Sequence, residues 1–142
     1  MASPDLTQPR DRWLRAVGYG LLAEIATIVT IIAIVMGYRY WVAPGLSDAD
    51  YAAFSSRVGA NVGVIGGTLY VFLFARVLMR RLSSRFVAHG LVVALAAIAL
   101  SVGGSIAGHQ GVPSEYALAS ALKLLAGGFA GTLGSKRAHR AS

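Results

Sequence analysis

Two charges fall where charges are rarely tolerated. Glu24 interrupts the apolar run from Ala16 to Gly37, and Lys123 interrupts another, from Tyr116 to Gly134. Glu24 lies nine residues past Arg15, about 13 Å along a helix. A carboxylate at that depth in a bilayer costs a few kcal/mol and normally faces a bundle interior. Two chemistries fit it. One is a proton or cation site. The other is a protonated or paired Glu that orders the bundle. Gly20, Thr27, Ile31 and Tyr38 fall on nearly the same side of the helix and give Glu24 small and polar company.

Lys123 divides its helix cleanly. Leu118, Leu122, Leu125 and Phe129 form one stripe; Tyr116, Ser120, Lys123, Gly127, Ala130 and Gly134 lie opposite. Lys123 therefore points at other helices, unless its long stem carries the ammonium up to an interface. His89 and Asn61 complete the polar candidates for an ion or ligand. His89 sits one turn from a basic border and shares a face with Ala96, Gly103 and Ala107; Leu91, Leu95, Ile98, Val102 and Ile106 face outward. Asn61 is expected to form an interhelical hydrogen bond.

No catalytic constellation accompanies these residues. There is no paired-carboxylate or HExxH pattern, no P-loop, and no Cys for a thiolate metal site or nucleophile. Ser101 and Ser105 have no His–Asp partners nearby in sequence. The expectation is a protein that is not an enzyme and holds no metal or cofactor.

Four apolar segments must position these groups. They are expected at about 12–42, 48–81, 86–107 and 115–134, within a domain over 11–135, with a flexible tail over 1–10 and a basic tail over 136–142. Asp11 and Ser114 are candidate N-caps, Pro44-Gly45 ends the first helix, and Ser47-Asp-Ala-Asp50 has capping-box spacing. With 56% hydrophobic and 13% charged residues, the chain is too apolar for an ordinary soluble domain. The fold class is all-α: a polytopic membrane protein with a four-transmembrane-helix bundle.

The second segment looks central. Val58 to Ala75 is uncharged and bordered by Arg57 and Arg76. Its glycines Gly59, Gly63 and Gly67 follow a double GxxxG pattern, which on a regular helix makes one bare strip for close packing. Gly127 and Gly131 are expected to serve the fourth helix in the same way.

The net charge of +7 is read as topology rather than nucleic-acid binding, because the basic residues stand at the ends of apolar segments. Arg10, Arg12, Arg15, Arg76, Arg80, Arg81, Arg85, Lys136, Arg137 and Arg140 belong to one side; Arg39 and Arg57 belong to the other. Both termini are therefore expected in the cytoplasm. Compactness and an Ala/Gly/Arg-rich composition suggest a bacterial inner membrane.

Two alignments suggest parallel helical-hairpin repeats. Arg15–Leu21 matches Arg85–Leu91, and Asp50–Ala52 matches Glu115–Ala117. Shared membrane-helix composition is the other explanation. Closing a four-helix bundle would make the first and fourth helices neighbours. Glu24 and Lys123 would then differ in depth by roughly 5 Å, close enough to pair.

Leu22-Ala23-Glu24-Ile25 resembles the first helix of small multidrug resistance transporters, whose membrane Glu exchanges protons for cationic drugs. The Trp-Ser-Gly-containing third helix of that family is absent, so the resemblance is confined to four residues. The leading functional expectation is a non-enzymatic scaffold or accessory subunit, bound to the lipid bilayer and to itself as a homo-oligomer or to a larger membrane complex. The alternative is a small proton- or ion-coupled transporter using Glu24.

Overall fold

The computed structural model describes residues 9–82, 84–108 and 114–141. Its elements are α1 (Pro9–Gly37), α2 (Asp48–Asn61), α3 (Gly67–Met79), α4 (Phe86–Ala107) and α5 (Glu115–Ala141). Among the described residues all regular structure is helical. Four rods are long and apolar enough to cross a membrane: Arg12–Val42, Asp48–Met79, Phe86–Ala107 and Tyr116–Ala138. Residues 1–8, Ser83, residues 109–113 and Ser142 lie outside the described residues.

The helix ends can be set beside those expected. Ser47 accepts from the Asp50 backbone N–H at 3.2 Å and donates to the Asp50 carboxylate at 2.7 Å, so α2 begins at a capping box. Three differ. α1 starts at Pro9, which puts Asp11 inside the helix rather than at its cap. α5 continues past Gly134 to Ala141, because Ser135–Ala141 contains no helix-breaking residue. The second rod ends at Met79 and is not one regular helix.

That rod is interrupted by a π turn over Val62–Gly66. The Gly67 N–H reaches back to the Val62 carbonyl, five residues earlier. One extra residue in a turn rotates everything beyond it by about 100°. Gly67 therefore leaves the face on which Gly59 and Gly63 lie, and the single strip of three glycines does not form. A second π turn, Tyr38–Val42, ends the first rod, where Ala43 N–H donates to the Tyr38 carbonyl at 2.9 Å. The outer corner is then pinned by Tyr51, whose hydroxyl donates to the Ala43 carbonyl at 2.8 Å and accepts from Leu46 N–H at 3.2 Å.

Packing order does not follow chain order. α1 packs on α3 and α4, and α5 packs on the same two. α1 and α5 thus occupy one diagonal of the bundle and are not the neighbours expected. Half a turn about the bundle axis carries each rod onto its diagonal opposite, which runs the other way. The two hairpins are therefore not related by such an axis; they lie side by side, α1 against α4 and α3 against α5.

The core is built from small residues. Ala16, Ala23, Ala75, Ala94, Ala97 and Ala130 are buried with Val71, Val93, Leu78, Met79 and Phe86. Small side chains let the rods approach closely, where van der Waals contact and hydrogen bonds hold helices together in an apolar solvent. The tightest seam joins α4 and α5: a Cβ on Gly90 would overlap the Gly127 carbonyl, and one on Gly127 would overlap that of Gly90. Gly131 is closed in by Val87 and Phe86, and Gly20 by Val93 and Ala96. The large apolar side chains Leu22, Ile25, Val29 and Ile32 are turned outward.

Candidate functional site

The polar centre is assembled by all four rods. α1 brings Glu24, α3 brings Gly67, α4 brings Ser101 and α5 brings Lys123. The Lys123 ammonium lies 2.6 Å from Glu24 Oε2 and 3.0 Å from Ser101 Oγ. Ser101 donates to the other carboxylate oxygen, Oε1. Each Glu24 oxygen therefore has a donor, and the ammonium has two acceptors. Glu24 is 6% exposed and Lys123 2%.

This arrangement explains how two charges are held in an apolar bundle. An isolated one would be desolvated without compensation; a paired one, with its remaining valences hydrogen-bonded, is tolerated. Gly67 makes room for it. A Cβ there would stand 2.8 Å from Lys123 Cε and 3.4 Å from Nζ. Thr27 lines the same space, its hydroxyl donating to the Ala23 carbonyl at 3.0 Å. The glycine that matters to the site is thus the one that the π turn moves.

The expected pairing of Glu24 with Lys123 is present, along the diagonal rather than across a seam. The inward face of α5 is also as expected: Lys123, Gly127, Ala130 and Gly134 are buried, while Leu118, Leu125 and Phe129 are exposed. On α4 the expected inward face holds only in part. His89 is buried, but Gly103 and Ala107 near the other end are exposed, because α4 has no rod packed over them.

His89 is separate from the centre. Its ring stacks on Trp13 with centroids 4.2 Å apart and an interplanar angle of 13°. Nδ1 lies 2.9 Å from the Arg85 carbonyl, which can only accept, so Nδ1 carries the proton. The same carbonyl accepts His89 N–H at 3.1 Å. Together they hold Arg85 in the left-handed region at φ 53°, a conformation that costs an ordinary residue about 1–2 kcal/mol.

Asn61 does not bridge helices. It is exposed, and its amide donates to the Arg57 carbonyl of its own helix at 2.9 Å. The reason is again the π turn, which follows Asn61 and breaks its register with the packed part of the rod. Besides the bonds of the polar centre, a hydrogen bond between helices joins Thr30 and Tyr70, at 2.8 Å between α1 and α3. Sequence reasoning missed this pair and missed Ser101. The available signal for Ser101 was a hydroxyl on a mostly apolar helix, a signal that Ser105 shares.

Gly59 and Gly63, like Gly103 and Gly104, have nothing within 4 Å of where a Cβ would stand. Among the described residues no cluster of His, Asp and Glu is arranged to hold a metal.

Compared with protein-family models, with curated proteins and with solved structures, the chain shows no match.

Proposed function

We propose that this chain is a small non-enzymatic membrane scaffold or accessory subunit, with both termini in the cytoplasm of a bacterium and its four rods spanning the inner membrane. The observation that carries this reading is the closed centre. Glu24, Lys123 and Ser101 satisfy one another, and the two charged side chains are buried with Ser101 half-buried beside them, which suits a structural knot better than a site that must admit a ligand. The glycines at Gly59 and Gly63 point to contact with another helix, since among the described residues nothing stands within 4 Å of a Cβ at either. A second copy or a larger complex would supply it.

The transporter reading is favoured by one different observation. The π turn over Val62–Gly66 directly precedes Gly67, which leaves the space that Lys123 occupies, and π turns recur where helices adjust at functional sites. On that reading Glu24 releases Lys123 to take a proton.

The absence of Cys allows a direct test. Gly63→Cys should give cross-linked copies, or cross-links to a partner, in native membranes, while Leu125→Cys should not. In vesicles, the purified protein should carry no proton or cation flux that Glu24→Gln abolishes. Such a flux, without cross-linking, would replace the scaffold reading by the transporter.

A further inference from the structure

We propose that the arginine-rich end of the bundle is a binding surface for anionic phospholipid headgroups. Arg15, Arg80, Arg81, Arg85, Lys136 and Arg137 are all exposed there. The fold brings them together from four elements. Gly134 packs against Met79 and Phe86, with a Cβ on it 3.1 Å from atoms of both. The next turn of α5, with Lys136 and Arg137, therefore stands level with Arg80 and Arg81. The Trp13–His89 stack and the His89 contact to the Arg85 carbonyl bring Arg15 to the same end.

On α1 the acidic residue at this end is Asp11, one turn before Arg15, against six exposed basic side chains. Glu24 is buried against Lys123, and Asp48 and Asp50 begin α2 at the other end. The cluster thus keeps a basic excess. Guanidinium groups match phosphate oxygens in a two-pronged geometry, and each basic side chain beside an anionic surface strengthens binding several-fold.

Lipid is favoured over a free polyanion by what adjoins the charges. Val17, Val77 and Val87 are exposed, two to four residues from Arg15, Arg81 and Arg85, at the start of the apolar surface. A phospholipid offers a phosphate and an acyl chain in that same order. This surface is independent of the scaffold reading and needs only that the rods lie in a bilayer.

The test uses the full chain in neutral detergent, titrated with short-chain phosphatidylglycerol, short-chain phosphatidylcholine, inorganic phosphate or a short oligonucleotide. Thermal midpoint and direct binding are both read. Phosphatidylglycerol should raise the midpoint and bind at least tenfold more tightly than phosphatidylcholine, with the difference shrinking as salt rises. Phosphate and oligonucleotide should leave the midpoint unmoved. Arg80→Gln/Arg81→Gln/Lys136→Gln should weaken phosphatidylglycerol on the order of 100-fold; Arg39→Gln/Arg57→Gln at the other end should not. Equal response to the two lipids, an equal response to phosphate or oligonucleotide, or undiminished binding by the triple variant overturns the proposal. If the triple variant does not fold, the lipid and salt comparisons on the unaltered chain decide it.

Discussion

Glu24 and Lys123 meet along the diagonal of the bundle, between two rods that share no packed seam. A pair in a seam joins two helices. A pair on the diagonal draws opposite rods together and compresses the two that lie between them. Its loss should therefore loosen the whole bundle.

The first prediction is a double-mutant cycle on this pair. Glu24→Gln and Lys123→Met should each destabilise the folded protein by about 3–5 kcal/mol, because each leaves a buried charge alone. The double variant should lose clearly less than the sum. Thermal or denaturant unfolding in detergent measures it, and strict additivity would contradict the pairing.

Gly67 gives a sharper probe of the same centre. Gly67→Ala should displace Lys123 and cost about 1–3 kcal/mol. In a Lys123→Ala background, where the crowded atoms are gone, the same substitution should be close to neutral. An equal cost in both backgrounds would place the crowding elsewhere.

The glycines should divide into two groups. Gly90→Ala and Gly127→Ala should be severely destabilising, since backbone meets backbone there and neither carbonyl can give way. Gly59→Ala should leave the monomer intact or stabilise it by up to about 1 kcal/mol, as Ala replaces Gly in a helix. Gly63→Leu should leave monomer stability unchanged but reduce the oligomer measured by light scattering, if the scaffold reading holds.

Among polar groups, Tyr70→Phe should cost about 1 kcal/mol through the lost bond to Thr30. Asn61→Ala should stay within about 0.5 kcal/mol. The reverse ranking in unfolding experiments would mean that Asn61 has an interhelical partner after all.

Orientation is tested by reporter fusions. One after residue 142 and one near Gly111 should report opposite sides of the membrane. The same side for both would exclude a four-span arrangement.

What could be read in advance was what one helix decides alone. The face of α5 that carries Lys123 follows from its 3.6-residue period, and so did the capping box at Ser47. The diagonal placement of α1 and α5 was not legible, because rods of similar length and apolarity close in more than one order. Nor was the π turn at Val62–Gly66: an i to i+5 bond leaves no mark in composition, yet it separates Gly63 from Gly67 and turns Asn61 away. Ser101 followed from neither spacing nor neighbours, since its partners lie 77 and 22 residues away.

The 99-residue separation of Glu24 and Lys123 has a consequence for biogenesis. At a synthesis rate of roughly 5–20 residues per second, the lysine is made about 5–20 s after the carboxylate. On the proposed membrane reading, the first hairpin inserts during that interval with no Lys123 to answer Glu24. It must take a proton, keep water beside it or remain in the insertion machinery. The nascent first half is therefore a waiting species, and its release is timed by the arrival of the last helix.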